Sequence, residues 1–407
     1  MTSTSCKQVA ETALAQCVAG QPPRELPWSL LQEPCAQALF GTLVEGLADR
    51  FEPALCDVYT RLFSQALCHA DSTLDVMSLV ARYERVRRPR PVAGRPQRVF
   101  VLSRVTLGAD VAITSILLAA AKRRFPSAEI VFVGPGKNQE LFAGDPQIQH
   151  APLEYRRGSL TDRLAAAGEL KQLVGQPGSI VIDSDSRLTQ LGLFPVCAEE
   201  NYYFFESRAY GGSSDRSLPE LTADWAWETF GIRDAKPYVS LARVPEKTPA
   251  IAVSLGVGEN PAKRIPDPFE AELLKELSET GLSLAIDKGA GGAEAERVER
   301  AIAASGVEAS VWDGSFAGFA EIIASSRLYL GYDSAGQHVA AACGVPLVSI
   351  FAGFPVPRMF ARWRPSGEGS TVIQVDRPDA HETLGRVREA LAAVLGPPVT
   401  RPAARRG

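Results

Sequence analysis

Residues 328–354, LYLGYDSAGQHVAAACGVPLVSIFAGF, constrain the fold more than any other part of the chain. An apolar run predicts a strand, the polar turn at 331–334 ends it, and small residues over 337–342 predict a helix that Gly344 stops. The apolar run 346–351 then predicts a second strand. A strand that feeds a helix through a polar turn aims the helix's unpaired N–H groups at the carboxyl edge of the sheet. Because such N–H groups suit a phosphate, the stretch predicts an anion site.

The same alternation of strands and helices extends over most of the chain. One series of apolar strands and helices occupies residues 99–235, and a second series occupies residues 249–395. This order predicts an α/β protein with two Rossmann-like domains of mainly parallel sheet that face each other across a cleft. Ligands of such sheets bind at the carboxyl ends of the strands. The Pro/Arg-rich residues 396–407 are expected to form a tail outside both domains.

Residues 1–88 differ from the rest, because apolar residues recur there at spacings of three and four without a β-branched run. The pattern predicts an all-helical N-terminal domain, which could act as a structural cap, a docking surface or a homodimerisation element. Its surplus of apolar residues favours the homodimer. Prolines and arginines over 89–98 predict a solvated linker, with contact to acidic lipid or a phosphorylated acceptor as the alternative.

Composition limits the functional classes. The 407 residues are 45% hydrophobic and carry a formal net charge of −4, which does not indicate a nucleic-acid partner. No apolar run reaches the length of a membrane span, and the first residues lack the layout of a secretory signal. We therefore expect a cytoplasmic protein, or one that lies at the inner face of the membrane. The 7 cysteines include no C-x-x-C pair, which favours buried reduced thiols over disulfides or a metal site.

The turn at 331–334 opens a longer motif, D-S-x-x-x-H followed by A-A-A-x-G-x-P, which contains Asp333, Ser334 and His338. This motif resembles D-[ST]-G-x-x-H-x-A-A-A of the ADP-heptose:lipopolysaccharide heptosyltransferase family, whose members are inverting GT-B glycosyltransferases. Ala335 stands where that family has glycine, and its methyl group would hinder a ligand if the backbone needed a positive φ. The resemblance covers about residues 99–395 and implies the GT-B fold.

The resemblance also implies a site for a nucleotide-sugar donor, most commonly ADP-heptose, that uses neither a cofactor nor a metal ion. Lys263 would supply a mobile positive charge for the leaving diphosphate, and Gly256 would let the backbone approach a phosphate. Ile265 replaces the family's tryptophan in this segment. The donor-binding residues implied by the family pattern are Gly256, Lys263, Arg264, Glu294, Asp333, Ser334, Ala335, Gly336, Gln337 and His338.

Residues 104–126 resemble the family's first strand–turn–helix segment, which contains S-x-G-D-V. Asp110 matches the aspartate proposed in that family as the general base, although Ala109 separates it from the preceding glycine. A carboxylate is suitable for this role because proton transfer from the acceptor hydroxyl occurs late in the reaction. From the residues alone, the alternative is a first-turn acid that the helix dipole stabilises.

A D-x-D pair, Asp183 and Asp185, follows the apolar run 180–182. Read alone, such a pair could hold a divalent metal on the donor diphosphate. The resemblance instead implies a metal-free site in which the two carboxylates contact hydroxyl groups of the acceptor.

These features predict an inverting, metal-independent glycosyltransferase that moves a sugar, heptose in much of the family, from a nucleoside diphosphate to a hydroxyl acceptor. The acceptor could be a glycan, a lipid-linked sugar, a protein or a small molecule. The alternatives are a nucleotide-sugar epimerase or hydrolase on the same fold, and a non-catalytic scaffold that retains a vestigial sugar-nucleotide cleft.

Overall fold

A computed structural model describes residues 3–243, 248, 250–258, 260–365, 367 and 369–396. The predicted tail from residue 397 onward lies outside the described residues. The chain divides into two compact units. The first unit contains Met1–Ser240 together with Pro355–Trp363, and the second contains Leu241–Phe354 together with Arg364–Gly407. No helix among the described residues is long and apolar enough to cross a membrane.

The chain begins with helices, as predicted. They are α1 (Ser3–Val18), α2 (Ala36–Ala38), α3 (Glu45–Ala48), α4 (Pro53–Ala70) and α5 (Val76–Val86), with 3-10 turns at Trp28–Leu31 and Glu33–Cys35 and a π-helical turn at Leu39–Val44. Asp75 caps the start of α5, because its carboxylate accepts a hydrogen bond from the Ser78 N–H at 2.8 Å. Cys6 and Cys35 form a disulfide, so the expectation of reduced thiols is wrong for this pair.

The first sheet is fully parallel, with the strand order β3-β2-β1-β4-β5. Its strands are β1 (Arg98–Leu102), β2 (Glu129–Gly134), β3 (Ile148–Pro152), β4 (Ser179–Asp183) and β5 (Tyr202–Phe204). The helices of this region are α6 (Leu107–Ala109), α7 (Ser115–Arg124), α8 (Gly136–Gln139), α9 (Leu160–Val174) and α10 (Leu218–Phe230). Short 3-10 turns lie at Glu140–Phe142, Arg187–Thr189 and Glu199–Asn201, and a π-helical turn lies at Asp110–Thr114.

Sequence reasoning missed β3 and α10. Strand β3 lies at the edge of the sheet and is only partly buried, so it lacks the continuous apolar run of the central strands. Helix α10 did carry a usable signal, since Ser217 and Glu220 form a capping box at its start.

The N-terminal helices and the first sheet share one hydrophobic core. The ring of Tyr83 on α5 packs edge-on against Phe204 on β5, with ring centroids 5.6 Å apart. Tyr59 on α4 donates a hydrogen bond to the Gln190 carbonyl at 2.8 Å. The helices therefore cover the end of this sheet rather than forming a detached body.

Residues 89–98 are mostly exposed, and individual contacts hold this stretch and the residues just before it against the first sheet. Arg87 forms an ion pair with Glu206 at 2.9 Å. Arg90 donates to the Tyr202 carbonyl at 3.2 Å and lies over the ring of Tyr203. Proline and arginine density indicated an extended segment, but its partners come from several distant parts of the first unit, among them Glu206 for Arg87 and Glu129 for Arg98.

The second sheet is also parallel, with the order β11-β10-β9-β6-β7-β8. Its strands are β6 (Ala250–Ser254), β7 (Ser283–Asp287), β8 (Ser310–Trp312), β9 (Leu328–Tyr332), β10 (Leu347–Ala352) and β11 (Ser370–Val375). The helices are α11 (Phe269–Glu279), α12 (Gly292–Ser305), α13 (Phe316–Ser325), α14 (Ala335–Ala342) and α16 (Ala380–Leu395), with a 3-10 turn at Pro261–Lys263, while α15 (Pro357–Trp363) belongs to the first unit. The sequence predicted most of these elements but not β11, a partly buried edge strand, or α15.

Candidate active site

The carboxyl edge of the second sheet holds most of the predicted donor residues. Strand β9 ends at Tyr332, and Ser334 is the N-cap of α14 with an extended backbone and no capping bond from its side chain. The first N–H groups of α14 are therefore not capped by that side chain, which suits an anion. Ala335 is the first residue of α14 and does not have a positive φ, so its methyl group introduces no backbone strain.

Lys263 and Asp333 form an ion pair beside this helix start. The Lys263 Nζ lies 2.5 Å from Asp333 Oδ2 and 3.2 Å from the Asp333 carbonyl oxygen. Gln337 donates to the other carboxylate oxygen of Asp333, and Ser349 donates to Gln337 Oε1 at 2.5 Å. The aspartate is thus held from both sides, while the lysine side chain remains 19% exposed. A partly exposed lysine at an uncapped helix start can reach a bound phosphate.

His338 lies next to this pair but is buried. Burial lowers its pKa to about 4, with Lys263 acting in the same direction and Asp333 opposing it. The imidazole is therefore neutral at pH 7. It can donate a hydrogen bond to a ligand or accept one from it, but it does not supply positive charge for a diphosphate.

Gly336 is required by a close approach rather than by a positive φ. A Cβ atom at this position would lie 2.4 Å from the hydroxyl oxygen of Tyr329, a buried side chain of β9. The same hydroxyl lies 3.3 Å from Ser334 Oγ. The Tyr329 side chain therefore packs against the start of α14, and Gly336 leaves room for its ring.

Two glycine-containing turns follow β6 and β7 at the same edge. Glu294 on α12 joins them, because its carboxylate accepts from the Val257 N–H and from the Ala290 N–H, each at 3.1 Å. Gly256 is partly exposed next to this carboxylate. The structure thus places Glu294 among the predicted donor residues, although protein N–H groups already occupy both of its oxygens.

Arg264 and Ile265 are directed into the second unit. Arg264 forms ion pairs with Glu270, at 2.9 Å, and with Asp267. Ile265 lies in the hydrophobic core, and its N–H donates to the Tyr332 hydroxyl at 3.2 Å. The charge of Arg264 is therefore directed towards acidic residues behind the sheet edge rather than towards the helix start.

Asp110 lies at the carboxyl edge of the first sheet and is completely buried. One carboxylate oxygen accepts from the Arg104 N–H at 2.7 Å and from Thr114 Oγ1 at 2.6 Å. The other accepts from Ser103 Oγ at 2.6 Å and from Asn138 Nδ2 at 2.5 Å. Burial raises the pKa of Asp110, although these four hydrogen bonds oppose the shift.

Ala109, the extra residue before Asp110 relative to the family pattern, is accommodated by a π-helical turn. Helix α6 ends at Ala109 and continues directly into the π-helical turn Asp110–Thr114 before α7 begins. A π-helical turn accommodates one extra residue within a helix. The additional alanine is thus absorbed by the helix, and it does not lengthen the preceding turn.

Asp183 and Asp185 are also completely buried at this edge. Asp183 accepts from the hydroxyl groups of Thr189 and Tyr202, each at 2.5 Å, and from the Ser186 N–H at 2.7 Å. Burial raises its pKa to about 6. The structure brings both aspartates close to the strand ends, as the sequence predicted, but it places them away from solvent.

Charged residues that sequence reasoning missed surround Asp185. Its carboxylate pairs with Arg208 at 3.0 Å and with Arg104 at 3.4 Å. Burial opposes ionisation of Asp185, but the two guanidinium groups and their hydrogen bonds lower its pKa overall. Arg104 and Arg208 each follow a strand of the same sheet, and this common position was the available signal. Among the described residues, no group of three or more His, Cys, Asp or Glu side chains is arranged to hold a metal ion.

Residues 205–388 match the family model described as glycosyltransferase family 9 (heptosyltransferase). A comparison with curated proteins finds no match. The chain is similar to the solved structure of E. coli heptosyltransferase WaaC with ADP, with 15% identity, a TM-score of 0.55 and coverage of 72% of this chain and 99% of that chain. It is also similar to a glycosyl transferase family 9 structure from Veillonella parvula, with 15% identity, a TM-score of 0.54 and coverage of 72% and 90%. A third similar structure is that of E. coli ADP-heptose lps heptosyltransferase II, with 19% identity, a TM-score of 0.51 and coverage of 73% of this chain and 98% of that chain.

At such low identities the solved structures show the fold, and they confirm the predicted GT-B class. The secondary structure of this chain itself shows the helical N-terminal region. The family model confirms the predicted resemblance to the heptosyltransferase family. Its match includes every donor-binding residue predicted from the sequence, from Gly256 to His338. It does not include Asp110, Asp183 or Asp185.

Proposed function

We propose that this chain, which matches the heptosyltransferase family model over residues 205–388, is a glycosyltransferase that moves a sugar from a nucleoside diphosphate to a hydroxyl acceptor. The observation that carries this proposal is the Lys263–Asp333 pair beside the uncapped start of α14. This arrangement lies at the carboxyl edge of a parallel sheet, where such folds bind ligands.

The leaving diphosphate is the part of the donor that this edge would stabilise. As the bond between the anomeric carbon and the diphosphate oxygen breaks, negative charge accumulates on the phosphate oxygens. Lys263 supplies a positive charge, and the N–H groups at the start of α14 supply donors and the positive end of the helix dipole. His338 is neutral, so its part is limited to hydrogen bonding.

ADP-heptose is the first donor to test. Matched E. coli structures are named for ADP and for ADP-heptose, and the donor segment of this chain lies within the family match. The acceptor is proposed only as a hydroxyl compound, which includes a glycan, a lipid-linked sugar, a protein side chain and a small molecule.

We assign the general base to Asp110 and the stereochemical course to inversion. The acceptor oxygen forms a bond to the anomeric carbon, the bonding pair of the departing group leaves with the diphosphate, and the hydroxyl proton passes to Asp110. Its raised pKa makes the buried carboxylate a better proton acceptor than an exposed aspartate. Since Asp110 is completely buried, contact with an acceptor requires one of its four hydrogen-bond partners to move.

Metal independence belongs to the same proposal, because a lysine and helix N–H groups would carry out the charge stabilisation. Activity in excess chelator would support it. Loss of activity in chelator, with recovery on addition of Mn²⁺ or Mg²⁺, would contradict it.

The deciding experiment incubates the purified protein with a panel of nucleotide sugars and acceptors and analyses the products by mass. A transferase forms a glycosylated acceptor and a nucleoside diphosphate. An epimerase forms an isobaric nucleotide sugar, a hydrolase forms free sugar, and a scaffold consumes nothing. A donor consumed without a glycosylated product would therefore replace the proposal with one of the alternatives.

A further inference from the structure

Glu270, a carboxylate that no sequence motif singled out, lies behind the donor-binding edge. It is the second residue of α11 and only 1% exposed. One oxygen, Oε1, accepts from Arg264 Nε at 2.9 Å, from Arg297 Nη1 and from the Tyr332 hydroxyl at 3.2 Å. Three side chains from separate segments thus converge on a single buried atom.

Two of these side chains are immediate neighbours of the ion pair at the site. Arg264 follows Lys263, and Tyr332 precedes Asp333. The Tyr332 hydroxyl also accepts a hydrogen bond from the N–H of the residue after Arg264, at 3.2 Å. The segment that carries the lysine and the strand end that leads to the aspartate are therefore tied to the same carboxylate.

The third side chain, Arg297, connects Glu270 to the glycine-containing turn that follows β6. Arg297 on α12 also donates through Nη2 to the Leu255 carbonyl at 2.8 Å, and Leu255 directly precedes Gly256. Glu294, on the same helix, holds the Val257 N–H of this turn. The position of the turn relative to Glu270 is thus fixed through one arginine.

We propose that Glu270 is a positioning residue of the donor site, which sets Lys263 and the turn at Gly256 relative to the start of α14. The inference rests on the proposed function of this edge. It also gives Arg264 a role different from the one implied by the family pattern, since Arg264 acts through Glu270 rather than by contacting the diphosphate.

The physical reason lies in the charges. Glu270 is shared by two guanidinium groups that are largely removed from water, and of these Arg264 has a second partner in the exposed Asp267. Neutralisation of Glu270 therefore removes the attraction that holds the two guanidinium groups together and increases their mutual repulsion. The two segments that carry them then separate. A shift of about 1 Å in a positioning group is sufficient to cost about 10²-fold in rate.

The test compares Glu270→Gln with the wild-type full chain. The probe is whichever of ADP, UDP, GDP and CDP binds the wild type most tightly, measured by isothermal titration calorimetry well below the melting temperature. We expect the Kd of Glu270→Gln to rise about tenfold. We also expect Glu270→Gln to weaken binding less in a Lys263→Met background than in the wild type, because part of the effect of Glu270 acts through the placement of Lys263.

The chain offers a matched control on the same helix. Glu276 on α11 forms an ion pair with Arg388 away from the sheet edge, and Glu276→Gln removes a comparable charge. Its Kd should equal that of the wild type. Tyr332→Phe is the milder second variant, with an expected rise of about threefold from the lost hydroxyl, and it decides the matter if Glu270→Gln does not fold.

The outcomes separate the two proposals. A wild type that binds none of the four nucleoside diphosphates overturns the proposed function and this inference with it. A wild type that binds one of them, with unchanged Kd in Glu270→Gln and Tyr332→Phe, overturns the positioning role alone. A lower melting temperature in Glu270→Gln without a change in Kd also overturns the positioning role, because it shows that Glu270 acts only on stability.

Discussion

The carboxyl edges of the two sheets carry similar residues in contrasting environments. At the first edge Asp110, Asp183 and Asp185 are each 0% exposed, and protein donors occupy their carboxylates. At the second edge Lys263 and Ser334 remain partly exposed, and the first N–H groups of α14 lack a side-chain cap. The donors to the three aspartates come from the loops and helices of the first α/β region itself, and the N-terminal helices add a further layer over the end of that sheet.

The comparison separates polar groups that stabilise the fold from polar groups that are available to a ligand. A buried charge pair contributes little net stability, but loss of one partner costs about 3–5 kcal/mol because the other remains unpaired. Partly exposed donors at a helix start cost little when they are empty, since water satisfies them. The second edge is therefore the better candidate for donor binding, and the first edge requires rearrangement before an acceptor reaches Asp110.

The largest expected effect comes from removal of the N-terminal helices that pack over the first sheet. A chain that starts at Gln97 would expose Tyr202 and Phe204, and each large apolar side chain brought into water costs about 2 kcal/mol. We expect this variant to lose the cooperative unfolding of the first unit, measured by circular dichroism and limited proteolysis. A chain that ends at Gly396 is the control. A well-folded first unit in the truncated protein would show that the helices are dispensable.

The same variant bears on the predicted homodimer. The helices already bury apolar side chains against the first sheet, which weakens the original reason for expecting a second copy. The homodimer stays a prediction that light scattering on the full chain can test, and a monomer would exclude it.

The next largest effect is expected at the second edge. Lys263→Met should lower kcat by about 10²- to 10³-fold, because it removes the charge placed to stabilise the leaving diphosphate. Lys122→Met is a matched control, since Lys122 pairs with Asp145 at 17% exposure of the lysine side chain, compared with 19% for Lys263. Equal rates for the two variants would remove Lys263 from the mechanism.

The two edges should also respond to pH with opposite signs. The pKa of Asp183 is raised to about 6, so its native state holds a proton that the unfolded chain has lost, and its contribution to stability falls as the pH rises from about 4 to 6. The pKa of His338 is lowered to about 4, so the unfolded chain takes up a proton first, and stability falls as the pH drops from 6.5 towards 4. Each contribution is about 3 kcal/mol.

Hydrogen exchange, corrected for intrinsic rates, can report the stability of each unit separately at several pH values. Compared with the wild type, Asp183→Asn should remove a destabilisation that grows with pH in the first unit. His338→Gln should remove one that grows as the pH falls in the second unit. If the two substitutions changed the pH dependence of unit stability in the same direction, the assigned protonation states would be contradicted.

The smallest effect expected from the comparison of the two edges concerns the proposed base. Asp110→Asn should slow transfer by about 10²-fold while leaving nucleoside diphosphate affinity unchanged, because Asp110 belongs to the first unit. Glu206→Gln is the control, as a carboxylate that is only 4% exposed, follows a strand of the same sheet and has no proposed part in binding or proton transfer. If single-turnover rates fall equally in both variants, Asp110 acts through the fold, and the base must be sought elsewhere.

The sequence by itself determined the features that depend on local periodicity. Apolar runs and helical spacing predicted the strands of both sheets except the partly buried edge strands β3 and β11. The motif from Asp333 to His338 was predicted at a strand–helix junction, and the structure places it there. Such features are predictable because burial on both faces of a parallel sheet requires continuous apolar runs.

Only the tertiary structure decided which polar residues are available to a ligand. Asp110 and Lys263 both lie in segments that resemble the family pattern. Asp110 nevertheless accepts four hydrogen bonds in the interior, whereas the Lys263 side chain remains partly exposed. The ion pairs of Arg87 with Glu206 and of Arg208 with Asp185, and the convergence of three segments on Glu270, join residues far apart in sequence. Burial and ion pairing depend on which segments the fold brings together, and no local pattern of residues encodes that.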